Sequence, residues 1–378
     1  MSPFPERAEK VSTIVATACD FGYGPAAKLD SIAQYLSGFR LVVHGTRLGQ
    51  HICEFAYDAA YDTDTPLEDV IQKERPSAVL SVLDPQSAVI AEKCGVPVVY
   101  VDSLPFLWSP SDAVPFLATA YCAQMCPSIP HTAWPVLRRI EHLHWVEGIV
   151  PEPVEPASGQ RGVALISVGG VESPVTSAAE SFYANLVLQP AIEALDAAGY
   201  ERVVVAGNHD ALMNADVDTR DMTITVDRRQ LRHREFVGIA RYARIVLTSP
   251  GLTTITECVS MGVPICLLPP QNLSQIFNAR HALEVTKDLP HVGWPPAVFD
   301  VREVERLRLL GEEAAVKYIV DSLAAAGTDT RRTSDVRAAL RRNLEHALLG
   351  TRHSEQPSRV PAAGASQIAE ILRSVVSR

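Results

Sequence analysis

The chain has 378 residues, with 44 acidic side chains against 34 basic ones and a net charge of −10 with histidine neutral. That balance excludes a protein that clothes a nucleic-acid backbone, which is met by clustered positive charge. At 47% hydrophobic and 21% charged residues, the low-apolar, high-charge compositions that stay disordered are excluded as well. At about 100–200 residues per domain, the length suggests two domains with a cleft between them.

In chain order, the first strands are expected at Val11 to Thr17, Phe39 to Val43, Ala78 to Leu83 and Val96 to Val101. Each is apolar throughout, as strands covered on both faces must be, and helical spacing occupies Ala26 to Leu36 and Gln86 to Lys93 between them. A proline-rich stretch (Pro151, Pro153, Pro156) ending in Ser158-Gly159-Gln160-Arg161-Gly162 can continue neither element and reads as a linker. The pattern then restarts: strand Val163 to Val168, helix Ser177 to Ala198, strands Arg202 to Val205 and Thr223 to Val226, and a helix near Glu235. Strand Ile245 to Thr248, a helix after Gly251 and strand Pro264 to Leu268 follow. From Val301 onward the chain is rich in Ala, Leu, Arg and Glu and should be helical, ending in a helix over Ala363 to Val376. The expected fold is α/β: two Rossmann-like, doubly wound parallel-sheet domains of similar size facing across a cleft.

The opening MSPFPERAEK carries no apolar signal-peptide core, and no run of about 18 apolar residues could span a bilayer. The seven cysteines are odd in number and scattered through apolar segments, so a reducing, cytoplasmic setting is expected. Cys122 and Cys126 would share one face of a helix as a metal or redox pair might. No second pair joins them, so they are read as small core side chains.

Ligands of doubly wound sheets bind beyond the carboxyl ends of the strands, which directs attention to the strand-to-helix turns. After the first strand comes Cys19-Asp20-Phe21-Gly22-Tyr23-Gly24-Pro25-Ala26-Ala27-Lys28, where two glycines permit close approach to a ligand and Asp20 either faces the cleft or caps the helix. Gly169-Gly170 follows the first strand of the second half and can present amides to phosphate oxygens. In Ser249-Pro250-Gly251-Leu252-Thr253-Thr254-Ile255-Thr256-Glu257, a glycine turn opens a helix whose free amides and hydroxyls suit a diphosphate, with Glu257 one turn further on to accept from ribose hydroxyls. Gln271, Asn272 and Gln275 supply amides that suit sugar hydroxyls or cap a helix.

On these segments, Ser249 through Pro264, Pro269 to Ala279 and the Gly169-Gly170 turn, the second half resembles the nucleotide-binding domain of GT-B glycosyltransferases, the group of MurG-type and UDP-glycosyltransferases. The resemblance implies an acceptor-binding domain over residues 1–150, a linker over 151–162, a nucleotide-sugar domain over 163–362, and a terminal helix over 363–378 able to pack back on the first domain. It implies Gly251, Thr253 and Thr254 on the diphosphate, Glu257 on the ribose, Gln271, Asn272 and Gln275 on the donor sugar, and Gly169, Gly170 and Ser249 within the same donor site. Phe236, within Arg232 to Val237, would wall the nucleobase. Two departures stand out. Ser249 occupies the region where many relatives carry a histidine, and in the Gly-x-Gly-His-x-x-Arg opening Pro25 replaces the histidine and Lys28 the arginine.

The implied activity is transfer of a sugar from a nucleoside diphosphate donor, UDP first among them, to a small acceptor such as an aglycone or nucleobase, with inversion and without metal or other cofactor. Asp62-Thr63-Asp64 and Asp216-Val217-Asp218 have a metal-binding spelling but lie in polar segments and read as solvated loops. With the family histidine gone, Asp20, His44, Asp84 and Asp102 are the candidate bases. Asp20 is preferred for its place and His44 is second for its intrinsic pKa. Gly22, Tyr23, Gly24, Asp102 and Trp108 are expected at the acceptor. Two alternatives are a UDP-sugar 2-epimerase of the same fold using His209 and Asp210, and an inactive sugar-nucleotide-binding accessory protein. Neither nucleic acid nor stable membrane insertion is expected, and a homodimer is compatible with the sequence.

Overall fold

The structure, a computed structural model, describes residues 11–45, 52–108, 112–126, 129, 133–152, 162–171, 182–286, 288–310, 312–351 and 361–378. The first half runs β1 (Thr13–Ala18), α1 (Gly24–Ala33), β2 (Arg40–His44), β3 (Ala59–Tyr61), α2 (Leu67–Glu74), β4 (Ala78–Val82), α3 (Pro85–Lys93), β5 (Val98–Asp102), β6 (Ala120–Gln124), α4 (Trp134–Leu137) and β7 (Leu143–Val146). Its seven strands form one sheet in the order β3-β2-β1-β4-β5-β6-β7, every pairing parallel.

The second half runs β8 (Ala164–Gly169), α5 (Phe182–Ala197), β9 (Arg202–Gly207), α6 (His209–Asn214), β10 (Thr225–Arg229), α7 (His233–Arg241), β11 (Ile245–Thr248), α8 (Leu252–Met261), β12 (Ile265–Leu267) and α9 (Leu273–Val285). It forms a five-stranded parallel sheet in the order β10-β9-β8-β11-β12. Helices α10 (Val301–Arg308), α11 (Glu312–Thr328), α12 (Thr330–Thr351) and α13 (Gly364–Val376) complete the chain.

Both sheets reverse strand order beside their first strand, between β1 and β4 and between β8 and β11. The loops leaving those strands diverge to opposite faces and open a crevice, so each domain offers a ligand site at its own switch point. The central strands are buried on both faces. Ile14 and Leu80 pack on one side of the first sheet and Val15 and Val79 on the other. Helix α13 returns across the whole chain to cover the first sheet, placing Ile368, Ala369 and Leu372 in the core with Ile14, Leu80 and Val99. Fully burying each such aliphatic chain is worth about 1.5–3 kcal/mol, which is what ties the carboxyl terminus to the first domain.

The halves are less alike than the sequence suggests: seven strands stand against five. Strands β3, β6 and β7 lack the apolar β-branched run that marked the others; β3 is Ala-Ala-Tyr and β7 is Leu-His-Trp-Val, and they add on beyond the four expected strands. Cys122 is a core side chain, as expected, in strand β6, and Cys126 follows the strand end packed against the core, so the two do not lie on a helix. Helix α1 begins at Gly24 with Pro25 in its first turn, two residues before its expected start. The expected start of the helix at Ser177 and the greater part of the linker lie outside the described residues.

Candidate functional site

A cavity of about 910 Å³ lies where the carboxyl ends of the two sheets meet. Its lining draws on Cys19 and Phe21 after β1, Leu83 after β4, Asp102 at the end of β5, Gly169 and Gly170 at and just after the end of β8, and Ser249 and Gly251 after β11. The two switch points thus open into one space.

Two glycine turns meet across the cleft. Gly22 has φ +63°, and a Cβ there would sit 2.9 Å from the Gly170 carbonyl oxygen. A Cβ on Gly170 would sit 2.6 Å from both Gly22 Cα and Tyr23 N. Only residues without side chains allow this backbone-to-backbone approach. The sequence assigns these glycines to ligands, and the structure adds that they let the domains close on each other.

Helix α8 starts cleanly at the cavity, with Gly251 as its N-cap, and ends at Gly262 in the left-handed region, φ +70°. Thr253 and Thr254 line the cavity from its first turn. Thr253 Oγ1 accepts a hydrogen bond from Lys28 Nζ of α1 at 2.8 Å. Helix α1 therefore lies against the amino end of α8. Lys28 is buried at 1% exposure, and that burial lowers its pKa from 10.5 to about 8, with the Glu257 carboxylate pulling the other way.

Two residues along α1, Asp30 reaches a second cross-domain contact. His233, the first residue of α7, donates through Nδ1 to Asp30 Oδ2 (3.0 Å) and through Nε2 to Glu257 Oε1 (2.7 Å). All three are buried, at 4%, 1% and 2% exposure for His233, Asp30 and Glu257. Burial alone would lower the imidazole pKa, but the carboxylates of Glu257 and Asp30 outweigh it and hold it near 9, so both ring nitrogens carry protons at neutral pH. Asp30 also accepts from the Glu54 and Phe55 amides at 2.7 and 3.1 Å, which fixes it independently of the histidine. Glu257 is thus anchored through one oxygen while still lining the cavity, and its Oε2 has no hydrogen-bond partner among the described residues.

The other expected residues divide. Phe236 lines the cavity, half-buried against the core of the second sheet. Asn272 and Gln275 also line it, but Asn272 is the N-cap of α9, accepting from the Gln275 amide at 3.0 Å. Gln271 is outside the lining; its side-chain amide donates to the Val168 carbonyl at 2.9 Å and holds the turn after β8. Gly22, Tyr23, Gly24, Asp102 and Trp108 all line the first-domain side. Asp102 has both oxygens engaged: Oδ1 accepts from the Leu104 amide (2.7 Å), and Oδ2 from Trp108 Nε1 (2.7 Å) and the Tyr121 hydroxyl (2.6 Å). Burial raises its pKa and these three donors oppose the rise, so Asp102 holds the wall in shape.

Of the candidate bases, His44 lies outside the cavity, where its Nε2–H donates to the Thr65 carbonyl at 2.9 Å. This corrects its expected place in the site: a strand-end histidine was satisfied locally by backbone. Asp84 caps α3 by accepting from the Ser87 amide. Asp20 is outside the lining but sits between Cys19 and Phe21, which are both in it. Asp216 pairs with Arg337 and Asp218 with Arg220, and the described residues contain no cluster able to hold a metal ion. No described helix is long and apolar enough to cross a membrane.

Sequence reasoning passed over Asp30 and His233. His233 sat inside the Arg232 to Val237 segment with arginines on either side, and the basic run hid it. Lys28 was noticed only as a replacement for arginine.

No protein-family model matches the chain, and neither does any curated protein. Solved structures do resemble it in shape. Arabidopsis thaliana UGT89C1 complexed with UDP-L-rhamnose superposes with a TM-score of 0.55 at 12% identity, covering 98% of this chain and 100% of that one. The glycotransferase of kitacinnamycin gives 0.54 at 15% identity over 97% and 100%. A Listeria monocytogenes protein provisionally designated a UDP-N-acetylglucosamine 2-epimerase gives 0.50 at 13% identity over 92% and 99%. Two parallel Rossmann-like sheets closed on one cleft, matched over nearly the full length of such structures, make this chain a GT-B fold protein.

Proposed function

We propose that this protein is a glycosyltransferase that binds a nucleoside diphosphate sugar, UDP-linked before other nucleotides, against the amino end of α8 and passes the sugar to a small acceptor. The observation that carries the reading is Glu257. It lines the cavity one turn inside α8, one oxygen is fixed by His233, and the other has no hydrogen-bond partner among the described residues, as a pair of ribose hydroxyls requires. Gly251, Thr253 and Thr254 then meet the diphosphate, whose leaving charge is stabilised by the helix amino end and its donors. Phe236 walls the base, and Gln275 faces the donor sugar.

The first-domain side of the cavity offers Phe21, Leu104, Leu107 and Trp108, which suit a flat, largely apolar acceptor. Asp20, between two lining residues, is the proposed proton acceptor for an inverting attack. The epimerase alternative would draw on His209 and Asp210, which are exposed on α6 and outside the lining. The transferase is therefore the reading carried forward.

A thermal-shift panel of UDP, GDP, ADP, NAD and UDP-sugars tests it. A ligand bound only by the folded protein adds about 2.7 kcal/mol at a hundredfold excess over its Kd. UDP should stabilise most, and Glu257→Ala should abolish the shift. Equal shifts from all nucleotides, or an unchanged UDP shift in Glu257→Ala, would overturn the assignment. Asp20→Asn should leave the UDP shift intact and lower turnover once an acceptor is found.

A further inference from the structure

Lys28 is the one buried lysine or arginine among the described residues, and it is buried in an unusual way. Its ammonium carries three N–H donors, yet its hydrogen bonding consists of one contact to a neutral hydroxyl, Thr253 Oγ1 at 2.8 Å. No carboxylate among the described residues lies within ion-pair distance of it; Glu257 acts on it only from farther away. Buried cations are ordinarily paired, because taking a charge out of water without a partner is costly. Here the cation stands beside the amino end of α8, itself a site of partial positive charge, and both face the cavity. Two positive features converge on one spot from opposite domains, and no anion lies between them among the described residues.

We propose that Lys28 completes the donor site from the opposite domain: its ammonium binds the diphosphate at the amino end of α8, exchanging the Thr253 hydroxyl for phosphate oxygens. The inference rests on the nucleotide-sugar reading above and adds to it a residue of the acceptor domain. An anion bound there is held by both domains at once, so donor binding and domain closure are one event. Lysine serves as a point-charge partner for phosphate elsewhere, and its flexible stem lets the ammonium move from hydroxyl to phosphate without moving α1.

Calorimetric binding of UDP and of uridine to wild type, Lys28→Met and Lys28→Arg tests the proposal. At pH 7, Lys28→Met should weaken UDP at least tenfold and leave uridine within twofold, while Lys28→Arg should recover most of the UDP affinity. A second readout uses the low pKa of the buried amine. At pH 8.5 wild type should take up a fraction of a proton on binding UDP, measured in two buffers of different ionisation enthalpy. Lys28→Arg, always charged, should bind without that uptake. His233, flanked by Asp30 and Glu257, is the other group nearby able to titrate there, and it is common to all three proteins, so its contribution cancels in the comparison.

Equal UDP affinity in Lys28→Met, or a loss shared by uridine, would overturn the role of Lys28 while leaving the donor site standing. So would proton uptake that persists in Lys28→Arg, which decides the matter even if Lys28→Met fails to fold. Wild type that binds neither UDP nor uridine would overturn the nucleotide reading and this proposal with it.

Discussion

Raising the pH from 6.5 to 9 should first lower the stability of this protein and then hold it level, because two buried cations titrate with opposite sign. The imidazole of His233 rises from 6.5 to about 9 in the folded state. Between those values the folded chain keeps a proton the unfolded chain has released. Its stabilising contribution is therefore complete below pH 6.5 and lost as pH climbs through 9. Lys28 falls from 10.5 to about 8. Below pH 8 the folded state bears the cost of a buried ammonium; between 8 and 10.5 only the unfolded state holds that proton, so the Lys28 contribution rises with pH. A difference of one bound proton changes stability by about 1.4 kcal/mol per pH unit. Stability should thus fall by about 2 kcal/mol from pH 6.5 to 8 and stay level to about 9; above 9 it falls again, because burial holds the thiols of Cys53, Cys122, Cys126, Cys258 and Cys266 protonated in the folded chain while the unfolded chain ionises them. Urea midpoints at half-unit intervals, with an unchanged m-value, read this directly. His233→Gln should abolish the fall between pH 6.5 and 8, and Lys28→Met should let that fall run on to pH 9. A profile with no fall between pH 6.5 and 8, or a fall that survives in His233→Gln, would refute the cross-domain cluster as described.

Three further perturbations address packing. Gly170→Ala forces a Cβ to within 2.6 Å of the Gly22 backbone, and should cost about 1–3 kcal/mol and loosen the domain contact, seen as a lower Tm and a larger radius of gyration. Leu372→Ala removes a fully buried side chain of α13 from the first sheet, a loss of about 2–5 kcal/mol by chemical denaturation; a loss under 1 kcal/mol would mean α13 is not docked there. Asp102→Asn replaces one of two acceptor oxygens by a donor while Trp108 Nε1 and the Tyr121 hydroxyl still need one, costing about 1–3 kcal/mol and altering tryptophan fluorescence.

The parallel strands that carry the site were legible because strands buried on both faces must be apolar throughout, and β1, β2, β4, β5, β8 and β11 obey that rule. The turns after β1, β8 and β11 were legible because glycine there marks close backbone approach. The edge additions β6 and β7 were not: Ala-Tyr-Cys-Ala-Gln and Leu-His-Trp-Val derive their strand character from pairing with β5 and with each other, which no local pattern records. Asn272 shows a different limit. A cap and a sugar ligand need the same side chain at the same helix start, and only the hydrogen bond to the Gln275 amide tells that this one caps. The cross-domain contacts were the least legible. Lys28 and Thr253 are separated by 225 positions, and Asp30 and His233 by 203, so neither pair leaves any trace in local spacing.

Those two contacts explain each other. Residues two apart on a helix do not share a face, so Lys28 and Asp30 straddle α1, one reaching the first turn of α8 and the other reaching α7. Between them Glu257 is held by His233 and feels Lys28. Removing His233 leaves two buried carboxylates without their shared cation, a larger loss than the net worth of either pair. Parting the domains breaks the Lys28 and Asp30 contacts together and returns those charges to water. The same set fixes where α8 offers its hydroxyls and its carboxylate. A diphosphate adding negative charge beside Lys28 would repay the one cation that the set leaves without an ion pair, so the residues that close this cleft are also those that decide which anion it accepts.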